Sequence, residues 1–118
     1  MGTDSGAGNR GLTPEEAAAV DTYFDGDREF YLSFRATTLS QFVVDLREGD
    51  AACRAQDAAA LRRVAHNLKG VLRTLGYDAH SACAREAEIA AQQTPWDAAE
   101  QAWLALRARL VQAFILQP

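Results

Sequence analysis

The stretch that decides the fold runs from Leu61 to Gly76 and reads LRRVAHNLKGVLRTLG. Its apolar residues recur at steps of three and four, which is the spacing of one face of an α-helix. They are Leu61, Val64, Ala65, Leu68, Val71, Leu72 and Leu75. At about 100° per residue, the centre of this face lies about 160° from His66. The stretch therefore predicts a core helix that points its histidine into water.

Gly70 lies one turn beyond His66 on the same predicted exposed side of that helix. A glycine inside a helix lowers its stability by about 1 kcal/mol relative to alanine. An exposed position offers no packing contact that would offset this cost. We infer that something outside the helix needs the space.

Length and composition restrict the class of protein. The 118 residues have the size of one domain, and the abundance of Ala, Leu, Glu, Gln and Arg favours an all-α fold.

The net charge is −4 and the basic residues are scattered, which argues against a nucleic-acid partner. Cys53 and Cys83 form no C-x-x-C motif, as is typical of reduced thiols in the cytoplasm. Without an apolar run of about 20 residues or a signal pattern, the sequence predicts no membrane insertion and a cytoplasmic location.

The chain is predicted to divide into a tail and one domain. Residues 1–11 hold Gly, Ser, Asp and Asn with hardly any apolar residue, so they are expected to be a flexible tail or linker. Residues 12–116 are predicted to form an antiparallel up-and-down four-helix bundle, because short connections between long helices favour antiparallel neighbours. A short additional N-terminal helix is expected to lie across one end.

Local signals place the first two helices. Thr13 and Glu16 have the spacing of a capping box, which predicts a short first helix. After the break at Asp25–Gly26–Asp27, a long second helix is predicted to run until Gly49–Asp50. Its core face is predicted to hold Phe30, Tyr31, Phe34, Thr38, Phe42, Val43 and Leu46.

The other three helices follow from similar signals. The third is predicted to run from Asp57 to Leu75 and to end at Gly76, which can adopt the left-handed conformation. Asp78 is predicted to cap the fourth, whose inward residues would be Cys83, Ala87 and Ala90 with Ile89 beside them. Thr94 is predicted to cap the fifth, with Pro95 in the first helical position. Its core face would hold Trp96, Ala99, Trp103, Leu106, Leu110 and Ala113.

Cations surround the predicted position of His66. Helical projection places Arg73 about 20° from its azimuth, Arg62 about 40°, and Lys69 and Arg63 about 60°. An imidazole is a nucleophile, and neighbouring cations can stabilise a phosphorylated product. The sequence shows neither a nucleotide cradle nor metal ligands, so the surface resembles half of an active site.

These residues resemble the pattern of the histidine-containing phosphotransfer (HPt) domains of bacterial and fungal phosphorelays. The family pattern has a lysine three, a glycine four and another glycine ten residues after the histidine. Lys69, Gly70 and Gly76 stand at these positions after His66. The resemblance extends from about Leu12 to Phe114 and includes the number of helices.

The resemblance implies a phosphorelay intermediate. His66 would accept a phosphoryl group from the aspartyl phosphate of a receiver domain and pass it to the aspartate of a response regulator. Lys69 would contact the phosphoryl group, and Gly70 would leave room for the receiver. Mg²⁺ would belong to the receiver, so the chain itself would bind no cofactor and have no autonomous kinase activity. We expect a monomeric module from the C-terminal end of a hybrid sensor histidine kinase, either free in the cytoplasm or tethered to the inner membrane.

Receiver contacts are predicted for Asn67, Gly70, Arg62, Arg63 and Arg73. Two positions depart from the family pattern. Arg73 stands where similar domains have a small residue, and we hypothesise that it pairs with the receiver or the phosphoryl group. His80 stands where they commonly have leucine, and it is predicted to pack at the edge of the core.

Two other functions remain open from the sequence. The first is the phosphoacceptor and dimerisation domain of a histidine kinase. In such domains an acidic residue typically follows the histidine and a proline lies one turn later, whereas Asn67-Leu68-Lys69-Gly70 follow His66. The second is an inert interaction bundle with a chance motif, since short motifs also occur without function. Labelling by a phosphorylated receiver would distinguish a relay from an inert bundle.

Overall fold

The computed structural model describes residues 11–93 and 95–117. Its five helices are α1 (Pro14–Tyr23), α2 (Arg28–Ala55), α3 (Ala58–Leu75), α4 (Asp78–Ala91) and α5 (Trp96–Phe114). These two ranges contain no strand, so the predicted all-α class is confirmed. None of the described helices is long and apolar enough to cross a membrane. The predicted tail, except Gly11, and the predicted cap Thr94 lie outside the described residues.

The core is built around α3. Six of its seven predicted core residues are buried, and Val71 is half-buried. Burying one leucine side chain contributes about 2 kcal/mol, so this stripe is a major source of stability. The largest fully buried side chains of the other helices face the same core: Tyr31, Phe42, Leu46, Trp103, Leu106 and Leu110.

Hydrogen bonds between helices show how α3 is held on both sides. The hydroxyl of Tyr31, in the first turn of α2, donates to the carbonyl oxygen of Leu75 at the end of α3 over 2.7 Å. The hydroxyl of Ser81, in the first turn of α4, donates to the carbonyl oxygen of Lys69 over 2.8 Å. The helix that carries His66 is therefore fixed to α2 and α4 by buried or partly buried bonds.

The predicted end of α2 at Gly49–Asp50 is wrong. The helix continues to Ala55 and ends at Gln56 in the left-handed conformation. Gly49 is buried inside it, and a Cβ there would lie 2.0 Å from Cζ2 of Trp103. The glycine is thus a packing residue that admits the indole, and the next residue is part of the same contact. Asp50 accepts from Nε1 of Trp103 at 3.0 Å and from Nε of Arg107 at 2.9 Å.

The starts of α4 and α5 differ from the predictions. Asp78 is the first residue of α4, and Tyr77 occupies the cap position without a side-chain cap bond. Pro95 occupies the cap position of α5, not its first helical position, because its ψ of 163° is extended. Both helices therefore begin without the predicted capping bond among the described residues.

Some inward positions also differ. The buried residues of α4 are Ser81, Ala84, Ala87, Glu88 and Ala91, so the inward face is rotated from the predicted one and Ile89 is exposed. In α5, Phe114 is buried where Ala113 was predicted, because its ring packs on Phe42 at 5.3 Å between centroids. Phe30, predicted to face the core, is 58% exposed, and its ring packs edge-on against the buried Phe24.

Helix α1 lies against the end of α3. The predicted capping box is confirmed, with Glu16 N–H donating to Thr13 Oγ1 at 3.0 Å and Thr13 N–H donating to Glu16 Oε1 at 2.9 Å. Gly76 ends α3 with a φ of 91°, as predicted, and a Cβ there would lie 2.5 Å from the carbonyl oxygen of Glu15. Gly76 thus serves both the helix end and the close approach of α1. The hydroxyl of Tyr77 donates to Glu16 Oε2 at 2.6 Å and strengthens this attachment.

Candidate functional site

His66 projects from the middle of α3 into solvent, as its azimuth predicted. Its side chain is 61% exposed, and Nδ1 lies 2.8 Å from Oε2 of Glu88 on α4. An ionised carboxylate can only accept a hydrogen bond, so Nδ1 carries a proton in this contact. In the neutral ring, Nε2 then keeps its lone pair. No hydrogen bond from the described residues occupies Nε2, so the nucleophilic atom faces solvent.

Glu88 is the site residue that the sequence analysis missed. Its side chain is only 11% exposed, and its other oxygen, Oε1, accepts from Nζ of Lys69 at 2.8 Å. The hydrogen bond from Lys69 holds the pKa of Glu88 below its usual value; burial opposes this, and the bond from His66 supports it. A single carboxylate therefore joins the histidine to the lysine one turn away.

A signal for Glu88 was present in the sequence. A carboxylate on the inward, alanine-rich face of a helix requires a partner, because an unpaired buried charge is very costly. The predicted face of Cys83, Ala87 and Ala90 was rotated away from the observed one, so Glu88 was not among the predicted inward residues. With the correct rotation, the nearest partners are His66 and Lys69 on α3.

Lys69 is less exposed than its azimuth suggested. Only 22% of its side chain is accessible, and its ammonium group contacts Glu88 on α4. The ammonium group is therefore positioned, with fewer rotamers than a free surface lysine. It carries its positive charge on the same helix turn as the exposed imidazole.

On its α2 side, His66 borders a shallow depression that we call the α2-side depression. Its lining residues are Phe34, His66, Asn67, Gly70, Val71 and Thr74. A Cβ added to Gly70 would meet nothing within 4 Å, so no contact inside the described chain requires a glycine there. Phe34, predicted as core, is half-buried and gives the depression an apolar wall.

The three arginines predicted beside His66 separate in the structure. All are exposed, and none forms an ion pair within the described residues. Arg63 lines a different depression, together with Glu48 and Asp57. Arg73 lies with Lys69 on the α4 side of the histidine. Arg62 lines none of the depressions described here.

His80 is half-buried, and its ring packs on Tyr77 with 5.4 Å between centroids. Burial, followed by the charge of Arg109, lowers the pKa of its imidazole. The predicted packing at the edge of the core is consistent with these contacts. Within the described ranges, no group of three or more His, Cys, Asp or Glu side chains could hold a metal ion.

Comparison with known families identifies this arrangement. The model of the Hpt domain family matches residues 33–114, which is more than half of the chain. The chain therefore belongs to the Hpt domain family, whose members carry out phosphotransfer in two-component systems and interact with receiver domains. The matched range contains His66, Lys69 and Glu88 and excludes α1. No curated protein and no solved structure matches the chain.

Proposed function

We propose that this chain is a phosphorelay intermediate that accepts a phosphoryl group on His66 from the aspartyl phosphate of a receiver domain. It then passes the group to the aspartate of a response regulator. One observation carries the proposal: the exposed imidazole of His66 has Nδ1 bound to Glu88 and Nε2 free, and it lies beside Gly70. No contact within the described residues requires a glycine at position 70.

The chemistry follows from the two ring nitrogens of His66. The lone pair of Nε2 attacks the phosphorus of the acyl phosphate, and an N–P bond forms while the bond from phosphorus to the carboxyl oxygen breaks. The receiver aspartate leaves as a carboxylate with the bonding electron pair. Positive charge develops on the ring, and the carboxylate of Glu88 at Nδ1 stabilises it. Attack by a second aspartate carboxylate reverses these steps and restores the neutral ring.

Lys69 supplies positive charge to the transferred group. Its ammonium group is held by Glu88 at 2.8 Å, one turn from His66, so it is already oriented before the receiver binds. A charge-assisted hydrogen bond to a phosphoryl oxygen is among the stronger polar contacts in proteins. The receiver would supply Mg²⁺ and its remaining catalytic groups, and the chain would have no kinase activity of its own.

The receiver would dock over the α2-side depression, where Gly70 leaves space and Phe34 offers an apolar contact. Asn67 and Thr74 would provide hydrogen-bonding groups on the same surface. We infer that α2 to α5 form an antiparallel up-and-down bundle beneath it. The Tyr31–Leu75 and Ser81–Lys69 bonds support this inference, because each joins the start of one helix to the second half of α3.

The cellular context of the proposal is that of a signalling module. We infer a monomer that binds receivers transiently, because relay partners must dissociate after each transfer. The chain would act in the cytoplasm, as a free protein or as the C-terminal module of a hybrid sensor kinase held at the inner membrane.

Incubation with phosphorylated receiver domains tests the proposal. An acid-labile phosphate should appear on the wild type and disappear in His66→Gln. His80→Gln is the matched control, because His80 is the second of two histidines and lies in a packing contact with Tyr77. Labelling that survives His66→Gln, or no labelling by any receiver of the source organism, contradicts the proposal and favours an inert bundle.

A further inference from the structure

A second depression lies on the α4 side of His66, and we call it the α4-side depression. It is open to solvent, has a volume of about 350 Å³ and is lined by Tyr23, Lys69, Arg73, Asp78, Ser81, Ala82 and Arg85. Lys69 belongs both to this lining and to the ion pair with Glu88. The depression is therefore continuous with the phosphotransfer site, although it lies on the opposite side of α3 from the α2-side depression.

The charge of the α4-side depression is opposite to that of the whole chain. Lys69 is paired with Glu88, whereas Arg73 and Arg85 are exposed and form no ion pair within the described residues. Asp78 is the only carboxylate among its described lining residues, so two arginines face one aspartate. The chain as a whole has a net charge of −4. An acidic partner is thus repelled by most of this molecule and attracted to this surface.

We propose that the α4-side depression is a docking site for an acidic segment of the receiver domain, and that Arg73 and Arg85 help to determine which receivers the chain serves. This inference rests on the proposed function. Arg73 lies about 10 Å from His66 along α3, which is well within one protein interface of about 800 Å² per partner. A receiver seated on His66 can therefore reach Arg73, and Arg85 lines the same depression as Arg73.

The composition and shape of the depression favour a protein over a small anion. Small-ligand sites bury most of their ligand, whereas this depression is shallow and open. Tyr23 is 49% exposed, and tyrosine and arginine are the side chains enriched at protein interfaces. Ala82 adds a small apolar group to the lining. A protein segment that carries carboxylates on a partly apolar surface matches all of these groups.

The test uses every phosphorylated receiver that labels wild-type His66, with transfer rates measured against receiver concentration and salt. We expect Arg73→Ala to raise KM about three- to tenfold with little change in the rate at saturation, because rim charges act on encounter more than on chemistry. The rise should be larger in the Arg73→Ala, Arg85→Ala double variant, and the salt dependence of KM should become less steep. Arg109→Ala on α5 changes the net charge equally and should leave KM unchanged.

Each outcome decides between the two proposals. An unchanged KM and salt dependence in the double variant, with wild-type labelling intact, overturns the docking site and leaves the phosphorelay function standing. An equal rise in KM for Arg109→Ala also overturns it, because the effect would then belong to net charge. Failure of every receiver to label the wild type overturns both proposals. If Arg73→Glu raises KM and an acid-to-arginine change in the receiver restores the wild-type KM, direct contact between position 73 and that receiver residue is supported.

Discussion

Two glycines lie inside the long helices, Gly49 in α2 and Gly70 in α3, and their surroundings are opposite. A Cβ on Gly49 would meet the buried ring of Trp103 at 2.0 Å, whereas a Cβ on Gly70 would meet nothing within 4 Å. Each glycine is also next in sequence to a residue whose side chain takes part in a carboxylate contact with two donors: Asp50 after Gly49, and Lys69 before Gly70. Asp50 joins Trp103 to Arg107 beside the first, and Glu88 joins His66 to Lys69 near the second.

The difference between these regions separates a structural site from a functional one. Around Gly49 the space and the hydrogen bonds are used within the chain, and the indole is fully buried. Around Gly70 the space is unused, and the histidine held by Glu88 remains exposed. The same elements, a helix glycine and a bridging carboxylate, therefore stabilise the fold in one place and present a reactive group in the other.

The largest expected effect is the loss of stability in Gly49→Ala. Three ring carbons of Trp103 would lie within 2.6 Å of the new Cβ, and the bond to Asp50 keeps the ring from moving aside. We expect the free energy of unfolding to fall by about 3 kcal/mol, at the upper end of overpacking costs. Urea denaturation measures it. An unchanged midpoint would show that α2 and α5 separate freely at this point.

The next effect is on phosphotransfer, in Glu88→Gln. The substitution keeps the shape of the side chain but removes the charge that stabilises the ring of His66 and positions Lys69. A hydrogen bond to a charged group is worth about 1.5–3 kcal/mol, which corresponds to a transfer rate about 10- to 100-fold lower at saturating receiver. Rapid-quench measurements of labelling check this. A change in KM alone would assign Glu88 to docking and not to the chemistry.

Asp50→Asn should produce a smaller effect, on stability alone. Burial acts to raise the pKa of Asp50, but the hydrogen bonds from Arg107 and Trp103 outweigh it and hold the pKa below its usual value. The ionised carboxylate therefore stabilises the fold above the ordinary aspartate pKa of about 4, and this contribution is lost as the pH falls through the folded-state pKa.

We accordingly expect Asp50→Asn to lower the free energy of unfolding by about 1–2 kcal/mol at neutral pH. The difference in free energy of unfolding between the variant and the wild type should become smaller when both proteins are unfolded in urea at about pH 3. Phosphotransfer from a receiver should be unchanged, in contrast to Glu88→Gln. If this difference in free energy of unfolding stays constant with pH, the charge of the Asp50 carboxylate contributes nothing to stability.

The smallest expected change is a gain of stability in Gly70→Ala. Alanine is the better helix former by about 1 kcal/mol, and the open space at Gly70 admits the methyl group without a clash. The free energy of unfolding should therefore rise while the receiver KM increases, since the added group occupies the docking surface. Equal KM values for the variant and the wild type would show that no partner uses this space.

The sequence was sufficient to predict the buried face of α3 but not that of α4, and the reason is physical. Leucines and valines alternate with charged residues in α3, so only one rotation of the helix buries them, and the exposed position of His66 followed correctly. In α4 the candidate inward residues are Ala, Ser and Cys, whose burial free energies differ little. Several rotations fit equally well, and Glu88 was missed for this reason.

Long-range contacts account for the other differences. Gly49 carries the local signal of a helix end, and only the indole of Trp103, far along the chain, shows why α2 continues. Lys69 and Arg63 have the same angular distance from His66 but lie on opposite sides of it. Because α4 packs on one side and α2 on the other, Lys69 meets Glu88 while Arg63 lines a separate depression.

Gly76 has a consequence for how related chains should vary. Its positive φ of 91° disfavours any other residue, and the carbonyl oxygen of Glu15 would lie 2.5 Å from an added Cβ, which is a second and independent obstacle. Neither obstacle involves a partner, whereas Gly70 and Arg73 face outward. During divergence, Gly76 should persist in every descendant that keeps α1, while position 73 changes together with the receivers it meets.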